Sequence, residues 1–446
     1  MDILGLIPSF GGLVWTVLAF VVALSIIVAV HEYGHYIVGR WTGIHAEVFS
    51  LGFGPVIWSR VDRRGTRWQL AALPFGGFVK FLGDADAASG KDTVAMAGMT
   101  PHQARNTMHG APLWARASTV AAGPVFNFIL SILVFAGFFM INGIATDLPV
   151  VGQMKDVPHQ GQTLLPGDQI LSVAGQDTPD LAALVAKAGD LPPAPAVAYR
   201  VLRDGAEVTF DGPFPFPPVA DGVQAMSAAQ DVGMMPGDVV LSVDGTAIHA
   251  FEQLRDAVGA SGGKPLLLNI WRPGGTTYEA ALVPRRMDIP LPEGGFETRW
   301  LIGLSGGLVF QPETRTPGPF EAVGDGAAQT LRIAQTSLSG LWHMITGAIS
   351  SCNLQGPIGI AETSGAAASA GAASFIWFIA MLSTAVGLMN LFPVPVLDGG
   401  HLVFHAYEAV SGKPPSDRAL QVLMTTGLAL LLTLMVFALT NDIFCP

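Results

Sequence analysis

The sequence predicts a polytopic α-helical membrane protein that carries an α+β portion outside the bilayer. Half of its 446 residues are hydrophobic and only 13% are charged, a composition typical of chains that cross a membrane several times. Four apolar stretches are long enough to span hydrocarbon, which takes about 20 helical residues. Between the second and third of them lies a more polar segment with an internal repeat, which predicts the α+β portion.

The four apolar stretches are expected to form transmembrane helices, because a helix satisfies its backbone hydrogen bonds without water. The first stretch has no basic residues before it and no small-residue cleavage site after it, so we interpret it as a span and not as a signal peptide. In chain order the stretches are 13–31, 117–143, 375–390 with a continuation to 397, and 420–440.

The distribution of charge predicts how these spans are oriented. Basic residues outnumber acidic ones between the first two spans, and Lys413 and Arg418 lie between the last two. Because loops rich in Lys and Arg remain in the cytoplasm, both loops are expected there, with the termini and the middle segment outside. Cys352 and Cys445 then both lie where a disulfide is permitted, and the sequence leaves their pairing open. The net charge of -11 excludes nucleic acid as a partner.

The middle segment, about 148–286, contains two copies of one pattern. PGDQILSVAG at 166–175 returns as PGDVVLSVDG at 236–245, and VLRDG at 201–205 is echoed by IWRPGG at 270–275. In each copy a Pro-Gly-Asp turn precedes an apolar strand, then a helical stretch (181–187; 251–258), then a β-hairpin. The pattern predicts two related small domains in tandem.

A metal-binding pattern, HEYGH at 31–35, lies at the inner end of the first span. Positions i and i+4 share one face of a helix, so His31 and His35 can reach one Zn²⁺ while Glu32 stands beside the reacting water. Ionisable side chains at membrane depth cost about 2.5 to 3.5 kcal/mol each. Three of them so close together need a compensating partner, and a metal ion would be one.

A third ligand is expected in another apolar stretch, because catalytic zinc usually takes three protein ligands and leaves one position for water. In NLFPVPVLDGG, Pro393 and Pro395 break a hydrophobic helix and Asp398 follows at the same cytoplasmic end as HEYGH. Irregular backbone at membrane depth is tolerated only inside protein or around a cavity. We therefore predict Asp398 as the third ligand, although without the histidines a cytoplasmic helix end with an Asp-Gly turn would be the preferred explanation.

A second pair of histidines, His401 and His405, has the same i, i+4 spacing but no Glu after the first. We interpret both as residues of a helix face, with His401 a candidate neighbour of the metal ligands. A separate metal site is the less favoured alternative.

Together these motifs resemble the site-2 protease family of intramembrane zinc metalloproteases, and within it the bacterial regulator-of-sigma-E protease type. The resemblance covers nearly the whole chain and rests on HExxH in a first span, NxxPxxxLDG in a late span and paired modules between them that look like PDZ domains. Four further motifs support it: GFGP at 52–55, PFGGFVK at 74–80, GPVFN at 123–127 and GPIGIA at 356–361.

The resemblance implies how substrate is held. Asn390 and the segment with Pro393 and Pro395 would contact an unwound substrate, and residues 48–81 would form a membrane re-entrant β-hairpin with Gly76, Gly77 and Phe78 at its substrate-binding edge. A soluble cytoplasmic hairpin is the alternative, since strand propensity does not locate depth.

PDZ domains bind a peptide terminus by adding it as a strand. In the second copy Gly233, Met234 and Met235 are the expected peptide-binding residues, because Gly233 leaves room for close backbone approach. The first copy has Thr163 in place of that glycine, so its peptide binding is doubtful and a steric role is the alternative.

The expected function is cleavage of the transmembrane segment of single-pass proteins of the anti-sigma factor type, and possible clearance of remnant signal peptides. An upstream site-1-type protease would first trim the ectodomain, in an envelope stress response at the bacterial inner membrane, with the PDZ pair in the periplasm acting as a size filter. Zn²⁺ would be held by His31, His35 and Asp398, and Glu32 would be the catalytic base. The alternative is a non-catalytic PDZ adaptor that binds envelope peptides.

Residues 320–349 carry apolar residues at mixed helical spacing, which suggests an amphipathic helix at the membrane surface or a plain connector. The expected organisation is the first span (1–38), a cytoplasmic and re-entrant hairpin region (39–112), the second span (113–146), PDZ1 (147–215), PDZ2 (216–290), a periplasmic linker with the amphipathic helix (291–372), the third span (373–400), a cytoplasmic loop (401–418) and the fourth span (419–446).

Overall fold

A computed structural model describes residues 6–85, 96–159, 161, 163–224, 227–291 and 295–445. Three charged residues between the first two spans, Asp86, Lys91 and Asp92, lie outside these residues. The chain divides into two compact units. The first comprises Met1–Phe138, Phe320–Leu341 and Ser351–Pro446, and the second comprises Phe139–Pro319 and Trp342–Ser350.

The helices and strands are named here in chain order. The helices are α1 (Leu6–Trp41), α2 (Pro101–Arg105), α3 (Leu113–Asn142), α4 (Leu181–Gly189), α5 (Ala228–Asp231), α6 (Phe251–Ala260), α7 (Pro319–Ile345), α8 (Pro357–Ser369), α9 (Ala372–Asn390), α10 (Asp398–Ser411) and α11 (Asp417–Phe444). The strands are β1 (Ala46–Val61), β2 (Arg67–Phe81), β3 (Ile144–Ala145), β4 (Val151–Met154), β5 (Gln169–Val173), β6 (Gln176–Asp177), β7 (Val197–Arg203), β8 (Ala206–Gly212), β9 (Gly222–Val223), β10 (Val239–Val243), β11 (Thr246–Ala247), β12 (Leu266–Arg272), β13 (Thr276–Leu282), β14 (Arg285–Pro290), β15 (Phe296–Leu301), β16 (Leu304–Ser305), β17 (Phe310–Pro312) and β18 (Thr314–Arg315).

In the part of the chain that the structure describes, four helices are long and apolar enough to cross a membrane. They are Gly12–Trp41, Leu113–Asn142, Ala372–Asn390 and Arg418–Phe444. Many of their large apolar side chains are exposed to the surroundings, as expected of helices whose outer faces meet lipid. The predicted number of spans is confirmed.

The third span ends in an irregular segment between α9 and α10. Pro393 and Pro395 within it have no backbone N–H to continue a helix. The segment folds over the start of α10, where a Cβ on Gly399 would lie 2.3 Å from the carbonyl oxygen of Leu391, and one on Gly400 would lie 2.3 Å from that of Val394. Residues 398–411 are helical, so most of the expected cytoplasmic loop at 401–418 is a helix that continues from Asp398.

The hairpin of β1 and β2 is in effect a four-segment sheet, because both strands bend. Phe49 pairs with both Trp68 and Val79, and Trp68 also pairs with Arg60. The segments therefore lie side by side in the order 56–61, 67–71, 46–51, 77–81. The bends fall near Gly52 and Gly76, whose φ values of 88° and 137° favour glycine. Segment 77–81 is the edge of this sheet that contacts α1.

The hairpin is attached to α1 by aromatic packing. Tyr36 of α1 contacts the rings of Phe49 and Trp68 at centroid distances of 5.9 and 5.0 Å, and those two rings stack at 4.4 Å. On the other side of the bend, Ile57 and Trp58 are 68% and 55% exposed. The hairpin therefore presents one buried and one exposed apolar surface.

The second unit contains the two predicted copies. Their sheets have the equivalent strand orders β6-β5-β7-β8 and β11-β10-β12-β13, and α4 and α6 supply the buried Leu184 and Leu254 to their cores. Each copy also holds a buried Asp of its Pro-Gly-Asp turn against an Arg: Asp168 with Arg203, and Asp238 with Arg272. The repeat in the sequence is therefore a repeat in the structure.

Residues after the second copy return to pair with strands that precede each copy. β16 pairs with β9, β17 with β4 and β18 with β3. The range 291–372 thus contains structural parts of both copies, as well as α7 and α8. We had expected a linker, because strands of two or three residues leave no alternating pattern in a sequence.

A disulfide joins Cys352 to Cys445, the pairing that the sequence left open. The same region is held by Asp442 of α11, whose carboxylate accepts hydrogen bonds of 2.7 and 3.0 Å from the backbone N–H groups of Gly356 and Ile358. Since these N–H groups lie at the start of α8, Asp442 supplies the N-terminal cap that this helix lacks in its own sequence.

Candidate metal centre

Three predicted ligands meet in the first unit. Nε2 of His31 lies 3.1 Å from Oδ2 of Asp398 and 3.2 Å from Nε2 of His35, and the remaining distance, from Nε2 of His35 to Oδ2 of Asp398, is 3.5 Å. The three side chains are only 11 to 18% exposed. Among the described residues this is the one group of three or more such side chains able to share a metal ion.

The triangle fits a zinc ion. Tetrahedral zinc with ligands at about 2.0 to 2.1 Å places its ligand atoms about 3.3 Å apart, and the three observed distances bracket that value. Among the described residues, no hydrogen bond reaches the buried Oδ2 of Asp398, and a metal ion shared with the two imidazoles would compensate its charge. Two imidazoles and one carboxylate are a known ligand set for catalytic zinc.

Helix α3 packs closely against α1 at His31 and His35. A Cβ on Gly123 would lie 2.3 Å from Nε2 of His35 and 2.8 Å from Cε1 of His31, and one on Gly34 would lie 2.5 Å from the carbonyl oxygen of Ala122. Gly34 on α1 and Gly123 on α3 therefore permit the close approach of the two helices. Nδ1 of His35 then reaches the carbonyl oxygen of Thr119 at 2.8 Å.

Glu32 lies between the ligands on α1 and faces the hairpin edge. A Cβ on Gly77 would lie 3.1 Å from Cγ of Glu32 and 2.9 Å from a methyl group of Val28. The glutamate is thus half-buried between the metal ligands and the edge segment, where a general base for an attacking water is needed.

The residues predicted to bind substrate occupy two segments next to this site. Gly77 contacts Glu32 as described, Phe78 stacks on Phe53 at 5.9 Å, and the position of a Cβ on Gly76 is filled by the Phe53 ring at 2.5 Å. Asn390 is the last residue of α9, and Pro393 and Pro395 lie in the irregular segment that leads to Asp398. Pro393 is exposed and the other two are half-buried.

The residues predicted to bind peptide in the second copy lie elsewhere than its groove. The groove, of about 300 Å³, is lined by Phe251, Leu254, Arg255 and Val258 of α6, by 222–224 and by 300–305. Gly233 is a turn residue with φ 75° whose carbonyl accepts a bond from Arg272, and Met235 is exposed. Met234 is 4% exposed and belongs to the domain core. The expectation for Met234 is therefore corrected, because its side chain points into the core.

His401 and His405 behave as helix residues. Nδ1 of His405 donates to the carbonyl oxygen of His401 at 2.7 Å, and burial, together with the nearby Arg116, lowers the pKa of His405 to about 4. The pair shares no third ligand of this kind among the described residues.

Sequence reasoning missed the residues of α3 that contact the histidines. Nδ2 of Asn127 lies 3.1 Å from Nδ1 of His31, and Asn127 is completely buried. Gly123, Pro124 and Asn127 all belong to GPVFN, which had been noted only as part of the resemblance. A proline and an amide inside an apolar span are unfavourable without a purpose, and that signal could have identified the helix as part of the site.

Comparison with known proteins agrees with this geometry. A family model described as Peptidase family M50 matches residues 19–434. A relative from Agrobacterium fabrum that carries a zinc metalloprotease name is 35% identical over 98% of both chains. Regulator of sigma-E protease RseP of Salmonella typhimurium is 34% identical over 96% of this chain and 98% of its own, and Protease RseP of Yersinia pestis is 32% identical over 96% and 98%.

Proposed function

Because this chain belongs to peptidase family M50, and is thus a zinc-dependent protease of the membrane, we propose that it cleaves transmembrane segments of single-pass proteins with Glu32 as general base. His31, His35 and Asp398 are the proposed zinc ligands. The observation that carries this assignment is the triangle of 3.1, 3.2 and 3.5 Å between their ligand atoms, with Glu32 beside it.

Zinc, when bound, supplies a Lewis acid that polarises the scissile carbonyl and acidifies water. Glu32 takes the proton of the attacking water and delivers it to the nitrogen of the leaving amine. A Cβ on Gly77 would lie 3.1 Å from Cγ of Glu32, so the glutamate lies against the hairpin edge. The base therefore stands where a substrate strand aligned with that edge would present its carbonyl.

Substrate binding at segment 77–81 is the second part of the proposal. A transmembrane substrate must unwind before its carbonyls are accessible, and the lost helical bonds need replacement in a site without free water. Segment 77–81 pairs with 46–51 on one side only, so its other side can receive an added strand. Gly76, Gly77 and Phe78 would contact that strand, and Asn390, Pro393 and Pro395 would bound it on the opposite side.

The hairpin is proposed to re-enter the membrane. In support, Val56, Ile57 and Trp58 are 49%, 68% and 55% exposed on its outer segment, an apolar surface that lipid would cover favourably. The charge distribution supports the proposed orientation, with the zinc site near the cytoplasmic side of a bacterial inner membrane and the second unit in the periplasm. The disulfide between Cys352 and Cys445 supports an oxidising compartment for those two residues.

The proposed physiological substrates are single-pass proteins of the anti-sigma factor type, trimmed first by an upstream site-1-type protease in an envelope stress response. The support is the name of the Salmonella relative, Regulator of sigma-E protease RseP. Remnant signal peptides are a second substrate class served by the same site, since cleavage would depend on helix instability more than on a side-chain pocket.

The two copies of the second unit are proposed to be PDZ domains, in support of which each has the same four-strand order and one helix beside the sheet. For the second copy, the groove between α6 and residues 300–305 is the proposed peptide site, in place of residues 233–235. A non-catalytic adaptor would use this groove alone, and would need neither zinc nor Glu32.

Substitution Glu32→Gln tests the catalytic assignment. The variant should retain zinc, because Glu32 is not among the ligands, and should lose cleavage of a single-span model substrate in liposomes. Glu207→Gln is the control, since Glu207 is an acid of the second unit that is 60% exposed beside Arg200 and lies outside the proposed active site. Cleavage by Glu32→Gln at the control rate would contradict the proposal, and a purified chain without zinc or cleavage would favour the adaptor.

A further inference from the structure

The buried side-chain amide of Asn127 contacts the proposed zinc ligand His31 through its nitrogen, while its oxygen is unpaired among the described residues. Asn127 of α3 is 0% exposed, and its Nδ2 lies 3.1 Å from Nδ1 of His31. Its Oδ1 is also buried and has no hydrogen-bond partner among the described residues. A buried amide with an unpaired oxygen is costly, so this arrangement calls for an explanation.

His35 shows which imidazole tautomer zinc binding requires. Nδ1 of His35 lies 2.8 Å from the carbonyl oxygen of Thr119, and a carbonyl oxygen can only accept. His35 therefore carries its proton on Nδ1, and the lone pair of Nε2 faces Asp398 and the other histidine. A neutral histidine binds metal through the nitrogen that lacks the proton, so His31 needs an acceptor at Nδ1 as well.

Asn127 can be that acceptor. The oxygen and nitrogen of a side-chain amide have nearly the same shape, and their assignment follows from the hydrogen bonds they make. With Oδ1 towards His31, the amide accepts from Nδ1–H and the lone pair of Nε2 is free. With Nδ2 there, the imidazole proton is displaced to Nε2, which faces Oδ2 of Asp398 at 3.1 Å and cannot then bind zinc.

We propose that Asn127 is a positioning residue for zinc, which accepts a hydrogen bond from Nδ1–H of His31 and so selects the metal-binding tautomer. This rests on the proposed ligand set. The amide is held in place by its own backbone, because the carbonyl oxygen of Asn127 accepts bonds of 3.0 and 2.9 Å from the hydroxyls of Ser131 and Ser383. Thr119 and Asn127 thus serve the two histidines from one helix.

Zinc affinity of the purified full-length protein, measured by competition with a chelator, tests the proposal. Asn127→Leu keeps the approximate size and removes the acceptor, and it should weaken zinc binding by roughly 10- to 100-fold. Asn127→Asp can accept but cannot donate, so it should bind zinc at the wild-type level or more tightly. Ser118→Ala is the control, because it removes a hydroxyl of the same helix that bonds the carbonyl oxygen of Ala115 and not Asn127 or a histidine, and its zinc affinity should match wild type.

The zinc affinities of these variants either support or overturn the acceptor role of Asn127. Rescue by Asp together with loss in Leu supports the acceptor role, whereas wild-type affinity in Leu, or a tenfold loss in Asp, overturns it. If the Asn127→Leu variant does not fold, the zinc affinity of Asn127→Asp tests the proposal by itself. Aspartate cannot donate, so a donor role for Asn127 predicts that this variant binds zinc more weakly. His31→Ala separates this inference from the ligand assignment: zinc retained in His31→Ala means that the ligand set is wrong, and zinc lost there but kept in Asn127→Leu means that only the role of Asn127 is wrong.

Discussion

Arg116 of α3 donates two hydrogen bonds, 2.9 and 2.5 Å long, to the carboxylate of Glu408 in α10. The two side chains are only 16% and 17% exposed. This pair joins the helix that packs on His31 and His35 to the helix that begins with Asp398. The proposed ligands His31 and His35 of the first span are therefore joined through α3 to the helix that carries the proposed ligand Asp398.

Substitution Arg116→Met should destabilise the protein and weaken zinc binding. The substitution leaves the Glu408 carboxylate, which is 17% exposed, without its partner. Such a change costs several kcal/mol of unfolding free energy at full burial, and about 2 kcal/mol is expected here. The zinc affinity should fall because α10 then holds Asp398 less firmly. Thermal unfolding and chelator competition on the purified protein measure the two effects.

The double variant Arg116→Met/Glu408→Met is the control for this pair. Replacing both members by apolar side chains removes the unpaired charge and is often nearly neutral. It should therefore be more stable than Arg116→Met alone. If the double variant lost as much stability as Arg116→Met and Glu408→Met together, the ion pair would not couple the helices.

The part of the site that could be predicted from sequence is the part encoded along single helices. His31, Glu32 and His35 are recognisable because helical spacing fixes their common face, and Asp398 because two prolines break the apolar helix before it. The four spans follow from length and hydropathy alone. The structure brings the three ligands together as the motifs indicated.

What could not be predicted depends on contacts between distant segments. Asn127 and Thr119 reach the histidines only because Gly123 and Gly34 bring α3 close to α1, and no local pattern encodes that approach. The groove of the second copy includes residues 300–305, which lie outside the repeated pattern and pair back to β9. Met234 was placed in a binding site for the same reason, since its neighbours in sequence did not reveal the core around it.

Substitution Gly123→Ala should reduce zinc content. The added Cβ would lie 2.3 Å from Nε2 of His35 and 2.5 Å from its Cε1, so either the ring or the whole of α3 must move. Both movements disturb the ligand triangle. Metal analysis of the purified variant and cleavage of a model substrate measure the effect, and both should fall together.

Gly137→Ala is the matched control on the same helix, because a Cβ there would meet nothing within 4 Å. It should keep zinc and activity, and alanine has the higher helix propensity. Equal zinc loss in both variants would mean that helix flexibility, and not the contact with His35, is what the glycine at 123 provides.

Arg272→Met should destabilise the second copy in a manner that depends on pH. Burial raises the pKa of Asp238, but hydrogen bonds from Arg272, Met235 N–H and Tyr278 outweigh it and hold the pKa below its usual value. The folded pKa is depressed, so the stabilisation is present above the unfolded value of about 3.9 and is lost as pH falls through the folded pKa.

Without Arg272, the Asp238 carboxylate, 1% exposed, keeps its other two bonds, so the expected loss at pH 7 is about 2 kcal/mol. The loss should shrink towards pH 4, because a buried carboxylate without the guanidinium takes up a proton more readily than one that is bonded to it. Urea-dependent proteolysis within Phe139–Pro319 at both pH values measures it. Arg255→Met is the control, because Arg255 is 50% exposed beside Glu252 and such surface pairs contribute at most about 1 kcal/mol. A loss for Arg272→Met that is equal at both pH values would show that the guanidinium acts through packing on Tyr278 and not through the charge of Asp238.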